Sequence, residues 1–320
     1  MKLELRSVRI KNCGPIDDIK IDFFDASGKT LPVCVIGGAN GSGKTTLLEI
    51  IFAWLHSLLW YTGKDYFDLK EAEYAQLDCQ INNNENLSIY FGEPPVDAVI
   101  ATEKLIRSRG GTLHEHGLNK MTAQLLKQQV SPTESQAAEN KLPVIVYFPH
   151  NRSLEPVEGT QISKETIIPS SYRFETVRQF PGSLNSYLIW LDYAHPEKCR
   201  EILGFLNRLD FDGKTFRIEK IDLDVIVKTK TGKEHKLHEL SSGEQNLLII
   251  LIELRRRLTF GSIVLIDEVE NSLHPAYQHR LAQGLLALQK EIPYQLIVTT
   301  HAPAFVEIFG EENTRLLTPF

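Results

Sequence analysis

Apolar and polar positions alternate from the first residues onward. Leu3, Leu5, Val8 and Ile10 are followed, around Asn12-Cys13-Gly14-Pro15, by Ile16, Ile19, Ile21 and Phe23. A period of two broken by a Gly-Pro turn predicts a two-stranded hairpin. The apolar run Leu31 to Ile36, bounded by glycines, predicts a buried strand, and a helix is expected over Thr45–Trp60. Asp78–Ile81 and Leu87–Phe91 flank Asn82-Asn83-Asn84-Glu85-Asn86 and predict a second hairpin. Val144–Phe148 is another short apolar strand, closed by Pro149.

Helical spacing returns over residues 175–209, and a further hairpin is expected from Phe216 to Leu237, turning at Lys230-Thr231-Gly232-Lys233. The remainder alternates: helix 243–258, strand 262–267, helix 275–290, strand 294–299, helix 303–309. Strands alternating with helices imply an α/β fold whose mostly parallel central sheet is covered on both faces. Between Glu93 and Leu142 the chain turns polar and rich in Gln, Glu and Lys. Residues 62–143 therefore read as an insertion, a hairpin plus a polar segment, and 153–210 as a helical lobe, within one domain spanning 1–320. No heptad repeat implies a coiled-coil arm.

Composition narrows the class. With 320 residues, 42% hydrophobic and 24% charged, the chain is long enough for a large core. A net charge of −6 announces neither nucleic acid nor an anionic membrane, although it leaves a local basic groove open. Cys13, Cys34, Cys79 and Cys199 form no C-x-x-C pair and read as reduced, buried thiols of a cytoplasmic protein. Leu47 to Tyr61, the greasiest stretch, is too short to span a bilayer and carries Glu49 and His56, so no membrane insertion is expected.

The chemistry lies in four short stretches. Gly38-Ala39-Asn40-Gly41-Ser42-Gly43-Lys44-Thr45 sits between an apolar strand and a helix, the setting of a phosphate-binding loop. Glycines let the backbone wrap phosphate oxygens, aiming successive N–H groups and the helix N-terminus at the anion. The cradle is Gly38, Asn40, Gly41, Ser42, Gly43, Lys44, Thr45 and Thr46, with Lys44 on the β/γ-phosphates of ATP and the Thr45 hydroxyl on Mg²⁺. Ile263-Val264-Leu265-Ile266-Asp267-Glu268 is an apolar strand ending in two acids. Asp267 would hold Mg²⁺ and Glu268 would orient or deprotonate the attacking water.

Leu240-Ser241-Ser242-Gly243-Glu244-Gln245 precedes a very apolar helix. Ser241 with Glu244 makes a capping box, which needs no nucleotide, yet a helix N-terminus bearing serine and glycine also suits a γ-phosphate. Val298-Thr299-Thr300-His301 places a histidine at the tip of the next strand.

This set resembles the ABC-type ATPase family of P-loop NTPases. The resemblance implies that Ser241 and Gly243 contact ATP held by an opposite protomer, in a homodimer with ATP at the interface. It implies that His301 is a switch histidine touching the γ-phosphate. Glu270-Asn271-Ser272-Leu273-His274-Pro275 resembles the dimer-contacting loop after the catalytic acid, in the form found in the SMC, RecF and OLD branch. It implies too an N-terminal antiparallel subdomain and a helical lobe beside the parallel sheet. One piece departs from the family: where a glutamine is expected after Val144–Phe148 stands Pro149, leaving His150, Asn151 or Arg152 as substitutes. Lys11 and Asn12 are ordinary turn residues or contacts to adenine or phosphate. Arg255-Arg256-Arg257 closes a helix, where cations favour the dipole without any nucleic acid.

Three functions compete. The first is a dimeric ATP switch controlling a separate effector protein, a nuclease or toxin, as in the single-domain AAA-family ATPases of bacterial anti-phage systems. The second is a RecF-like repair ATPase that clamps duplex DNA. The third is a transporter motor subunit, to which the insertion and the Leu-His-Pro loop are less similar.

Overall fold

The computed structural model describes residues 2–59, 72–82, 85–100, 103–107, 113–116, 143–156, 171–176, 183–208 and 211–317. Its centre is a six-stranded sheet formed by β3 (Val33–Gly38), β8 (Ile145–Phe148), β9 (Ser171–Arg173), β13 (Ser262–Ile266), β14 (Tyr294–Thr300) and β15 (Thr314–Leu317). The strand order is β15-β3-β14-β13-β8-β9, and every pairing is parallel.

Alternation along these strands assigns side chains to two cores. Cys34, Ile36, Ile145, Tyr147, Ile263 and Leu265 face α1 (Lys44–Leu59) and the N-terminal sheet. Val33, Val35, Val146, Val264, Ile266 and Val298 face the opposite side. There they meet α4 (Ser242–Arg257), α5 (Pro275–Glu291) and α6 (Pro303–Phe309), with α2 (Leu184–Ala194) and α3 (Pro196–Arg208) beyond. A parallel sheet buried on both faces is built from apolar runs, which is why these strands read so plainly in the sequence.

The second sheet runs β2 (Ile16–Asp22), β1 (Leu3–Cys13), β4 (Tyr74–Ile81), β5 (Glu85–Gly92), β6 (Glu103–Arg107), β7 (Leu113–His116). All its pairings are antiparallel except β5 with β6. The hairpin read as part of an insertion is β4–β5. It pairs with β1 and buries Leu77, Cys79, Leu87 and Ile89 in the core around α1, so it belongs to the N-terminal sheet. The polar stretch 117–142 lies outside the described residues, as do 62–71.

Two expectations about local structure are corrected. The hairpin over 216–237 is a three-stranded meander of β10 (Thr215–Glu219), β11 (Asp224–Lys228) and β12 (Glu234–Lys236). A second turn at Lys220–Leu223 breaks the run, with Leu223 at φ +51°, while the anticipated turn at 230–233 joins β11 to β12. Helical structure does not begin at 175. Residues 171–173 form β9 at the sheet edge, and α2 starts only after Ser183, whose hydroxyl accepts from Ser186 N–H. All four cysteines are buried, and burial pushes the Cys34 thiol up to about 12. Among the described residues no helix is long and apolar enough to cross a membrane.

Candidate functional site

Parallel strands leave their carboxyl ends on one edge, and four of those ends converge. β3 runs into the phosphate loop and β13 into Asp267 and Glu268. Between them β14 ends at Thr299 and Thr300, and β8 on the far side of β13 ends at Pro149-His150. This crevice is where open α/β sheets place ligands.

The loop has the backbone its glycines permit. Gly41 and Gly43 adopt φ of +77° and +91°, and a Cβ on Gly43 would lie 2.5 Å from Ile16 Cγ1, so the N-terminal hairpin seats directly on the loop. Lys44 Nζ donates to the carbonyls of Gly38 and Ala39 at 2.9 and 2.8 Å, curling over the cradle. Burial pulls its pKa below the ordinary lysine value against the opposing field of Asp267, Glu268 and Glu270. Asn40 and Gly41 are exposed, Thr46 is half-buried, and among the described residues the buried Ser42 hydroxyl oxygen has no hydrogen-bond partner.

Across the β14 tip, the Thr45 hydroxyl donates to Asp267 Oδ2 at 2.8 Å and the Thr299 hydroxyl donates to Asp267 Oδ1 at 2.7 Å. Asp267 is fully buried, with His150 Nδ1 3.6 Å from its Oδ2. Glu268 adopts φ +43°, a left-handed conformation that costs a non-glycine residue on the order of 1–2 kcal/mol. Its N–H donates to Thr299 Oγ1 at 2.8 Å and its carbonyl accepts from Arg152 at 3.0 Å. Strain held from both sides beside a cleft is the pattern expected at a reacting centre.

These groups suit ATP with Mg²⁺. Thr45 and Asp267 offer the hard oxygens that magnesium accepts alongside substrate phosphates. The unpartnered Ser42 hydroxyl and the glycine-lined cradle suit an anion with many oxygens.

Of the three stand-ins for the missing glutamine, His150 faces the Asp267 carboxylate. Asn151 is exposed, and Arg152 is buried against main-chain carbonyls. Lys11 and Asn12 both bind Glu73 across the N-terminal sheet, which supports the turn-residue reading.

His301 is exposed, and its backbone N–H donates to Glu270 Oε1 at 2.5 Å, while the Thr300 hydroxyl donates to Glu270 Oε2 at 2.7 Å. Glu270 thus fixes the His301 loop. Sequence reasoning missed it, along with Thr299, although both stand inside stretches it had singled out.

Ser241 and Gly243 lie elsewhere. Among the described residues neither bonds to its own phosphate loop. Ser241 is the N-cap of α4 and completes the capping box with Glu244. The Glu244 carboxylate also binds Lys214 and accepts from Tyr277 Oη at 3.1 Å, tying α4 to the segment before β10 and to α5. A Cβ on Gly243 would lie 2.6 Å from the Ser272 carbonyl oxygen, so the loop after the acids rests on the helix start. His274 caps α5, accepting from Ala276 N–H at 3.3 Å.

The three successive arginines are used internally. Arg256 and Arg257 bind Glu253 and stack on Tyr187 and Tyr172, and Arg255 pairs with Glu291 over Phe205.

Comparison with known proteins bears on the family and the fold. Residues 7–179 match a family model described as an AAA domain, and residues 186–307 match one described as "AAA domain, putative AbiEii toxin, Type IV TA system". The chain belongs to the AAA-domain ATPase family. This AAA domain is 33% identical over 112 residues to the retron Ec83 probable ATPase of Escherichia coli, covering 32% of this chain and 20% of that protein. It is 30% identical over 127 residues to the retron Vc95 probable ATPase of Vibrio cholerae serotype O1 biovar El Tor, covering 36% of this chain and 24% of that protein. The matched stretch therefore spans a quarter or less of those relatives. An SMC head bound to the C-winged helix domain of ScpA superposes with a TM-score of 0.51 at 14% identity, over 95% of this chain and 91% of that one. That likeness is one of fold: an α/β P-loop NTPase with a parallel sheet, an antiparallel sheet and helices.

Proposed function

We propose that the chain binds and hydrolyses ATP with Mg²⁺ as a homodimeric switch that controls a separate effector protein. The observation that carries the reading is the contact of the Thr45 hydroxyl with the buried Asp267 carboxylate, with the strained Glu268 next in sequence. Bound magnesium would be held by Thr45 and Asp267 and would supply neutralisation of the developing phosphate charge.

The chain's own residues do the rest. Lys44 and the loop N–H groups bind and orient the phosphates, and the Thr299 hydroxyl keeps the Asp267 carboxylate aimed. The Glu268 carboxylate orients the attacking water and takes its proton. His150 and His301 border the phosphate end of the crevice, where each can bond to a terminal oxygen.

Dimer formation is supported by the placement of Ser241 and Gly243. Ser241 is exposed at the start of α4, two residues before the buried Gly243, and among the described residues neither bonds to the phosphate loop of its own chain, which suits a helix start that completes the site of a second chain. The retron ATPase relatives, and the family description that names a putative toxin of a toxin–antitoxin system, support effector control as the output.

The test is turnover and mass together. Purified protein should release phosphate from ATP only with magnesium, and Glu268→Gln should accumulate as an ATP-bound dimer in light scattering. A Glu268→Gln variant that stays monomeric at saturating ATP would remove the dimer from the proposal.

A further inference from the structure

Arg152 is 8% exposed and sits just beyond the tip of β8. A guanidinium in such a place normally meets a carboxylate. Among the described residues this one does not. Its Nη1 donates to the carbonyls of Pro149 at 2.5 Å and Asp267 at 2.7 Å, with Phe148 at 3.4 Å, and its Nη2 donates to the Glu268 carbonyl at 3.0 Å. The remaining donor, Nε, reaches Asn246 Oδ1 on α4 at 2.6 Å.

The fork therefore stitches together the ends of two neighbouring strands, where their own ladder has stopped, and fastens both to a helix. No lysine can do this, because one ammonium cannot present five planar donors to acceptors fanned around it. Burial lowers the Arg152 pKa to about 10, so the cation persists at neutral pH.

The fastening continues. Asn246 Nδ2 donates to the Asn271 carbonyl at 2.7 Å, and Asn271 Nδ2 donates to the His150 carbonyl at 2.6 Å. The bonds close a ring, from the β8 loop through α4 and the loop after the acids and back. One turn before Asn246 lies Gly243, pressed against the Ser272 carbonyl. Strand tips, acid motif, helix start and loop thus form one bonded unit, and Glu268 is its strained member.

We infer that Arg152 is a positioning residue for hydrolysis: with Asn246 it holds the Glu268 main chain left-handed and couples that conformation to the helix start carrying Ser241 and Gly243. The inference rests on the proposed ATPase reading, in which Glu268 activates water. Arg152 acts through Glu268, its donors going to main-chain carbonyls and Asn246.

The experiment compares the wild-type chain, Lys44→Ala, Glu268→Gln, Arg152→Lys, Asn246→Ala and the Arg152→Lys/Asn246→Ala double variant. Thermal unfolding, equilibrium binding of a fluorescent ATP analogue, and kcat and KM for ATP are measured on each. Arg152→Lys should bind nucleotide as wild type does, with unchanged KM, while kcat falls on the order of 100-fold, because small displacements of a reacting group are that costly. Asn246→Ala should lower kcat about tenfold by the same route, and the double variant should be little worse than Arg152→Lys, since the two act as one unit.

A folded Arg152→Lys with wild-type kcat overturns the inference. So does a parallel loss of binding and kcat, which would mark general damage. Should Arg152→Lys not fold, Asn246→Ala decides by the same split between kcat and KM. If wild type turns over no faster than Lys44→Ala, the ATPase reading itself fails; if Lys44→Ala and Glu268→Gln are dead and Arg152→Lys keeps the wild-type kcat, only the inference does.

Discussion

Thr45 and Asp267 are 222 positions apart and share a 2.8 Å hydrogen bond from hydroxyl to carboxylate. The last residue of a phosphate loop and the first residue after an apolar strand meet because β14 alone separates their strands. Thr45→Ala should therefore weaken magnesium-dependent turnover without unfolding the chain. Titrating magnesium against turnover checks this, with the half-saturating concentration rising about 10-fold or more.

Lys44 curls over the loop in contact with two of its carbonyls. Lys44→Ala removes the buried cation facing the phosphates, and nucleotide binding should vanish in equilibrium titration. Affinity equal to wild type would end the assignment of this loop.

Glu268→Gln keeps the shape of the strained residue and removes the proton acceptor. Binding should persist while kcat drops by roughly 10²–10⁴, the range for loss of a general base. Single-turnover phosphate release separates this from slow product departure.

Gly243 has no room for a side chain, since a Cβ would lie 2.6 Å from a backbone oxygen of Ser272. Gly243→Ala should cost about 1–3 kcal/mol through overpacking and push the loop after the acids away. Chemical denaturation measures the first effect, and loss of ATP-dependent dimer mass in Glu268→Gln/Gly243→Ala measures the second.

Glu244 links stability to pH. Burial works to raise its pKa, but hydrogen bonds from Lys214 and Ser241 outweigh it and hold the group below the ordinary glutamate value. A depressed pKa in the folded state means the ionised form stabilises the fold. That contribution is complete above the unfolded value and fades as pH falls through the folded one. Glu244→Gln should therefore unfold more readily than wild type near neutral pH, with the gap closing well below about pH 4.3. A gap that widens in acid would contradict the sign.

Much of this was legible beforehand because it is local. Strands buried on both faces are continuous apolar runs, so 262–266 and 294–300 were found within a residue or so. Capping residues and prolines marked the starts of α4, α5 and α6. Short-range chemistry fails where pairing supplies the stability. β9 has three residues and β15 four, and each is a strand only because a neighbour offers free main-chain donors and acceptors. The chain by itself determined which groups can carry phosphate chemistry, since Lys44, Thr45, Asp267 and Glu268 are defined by motif and by position at element ends. Only the tertiary structure decided how they are held. Thr299, Glu270 and Arg152 act through hydrogen bonds to residues 30 to 116 positions away, and no pattern along a sequence records a bond that exists only once strand tips converge.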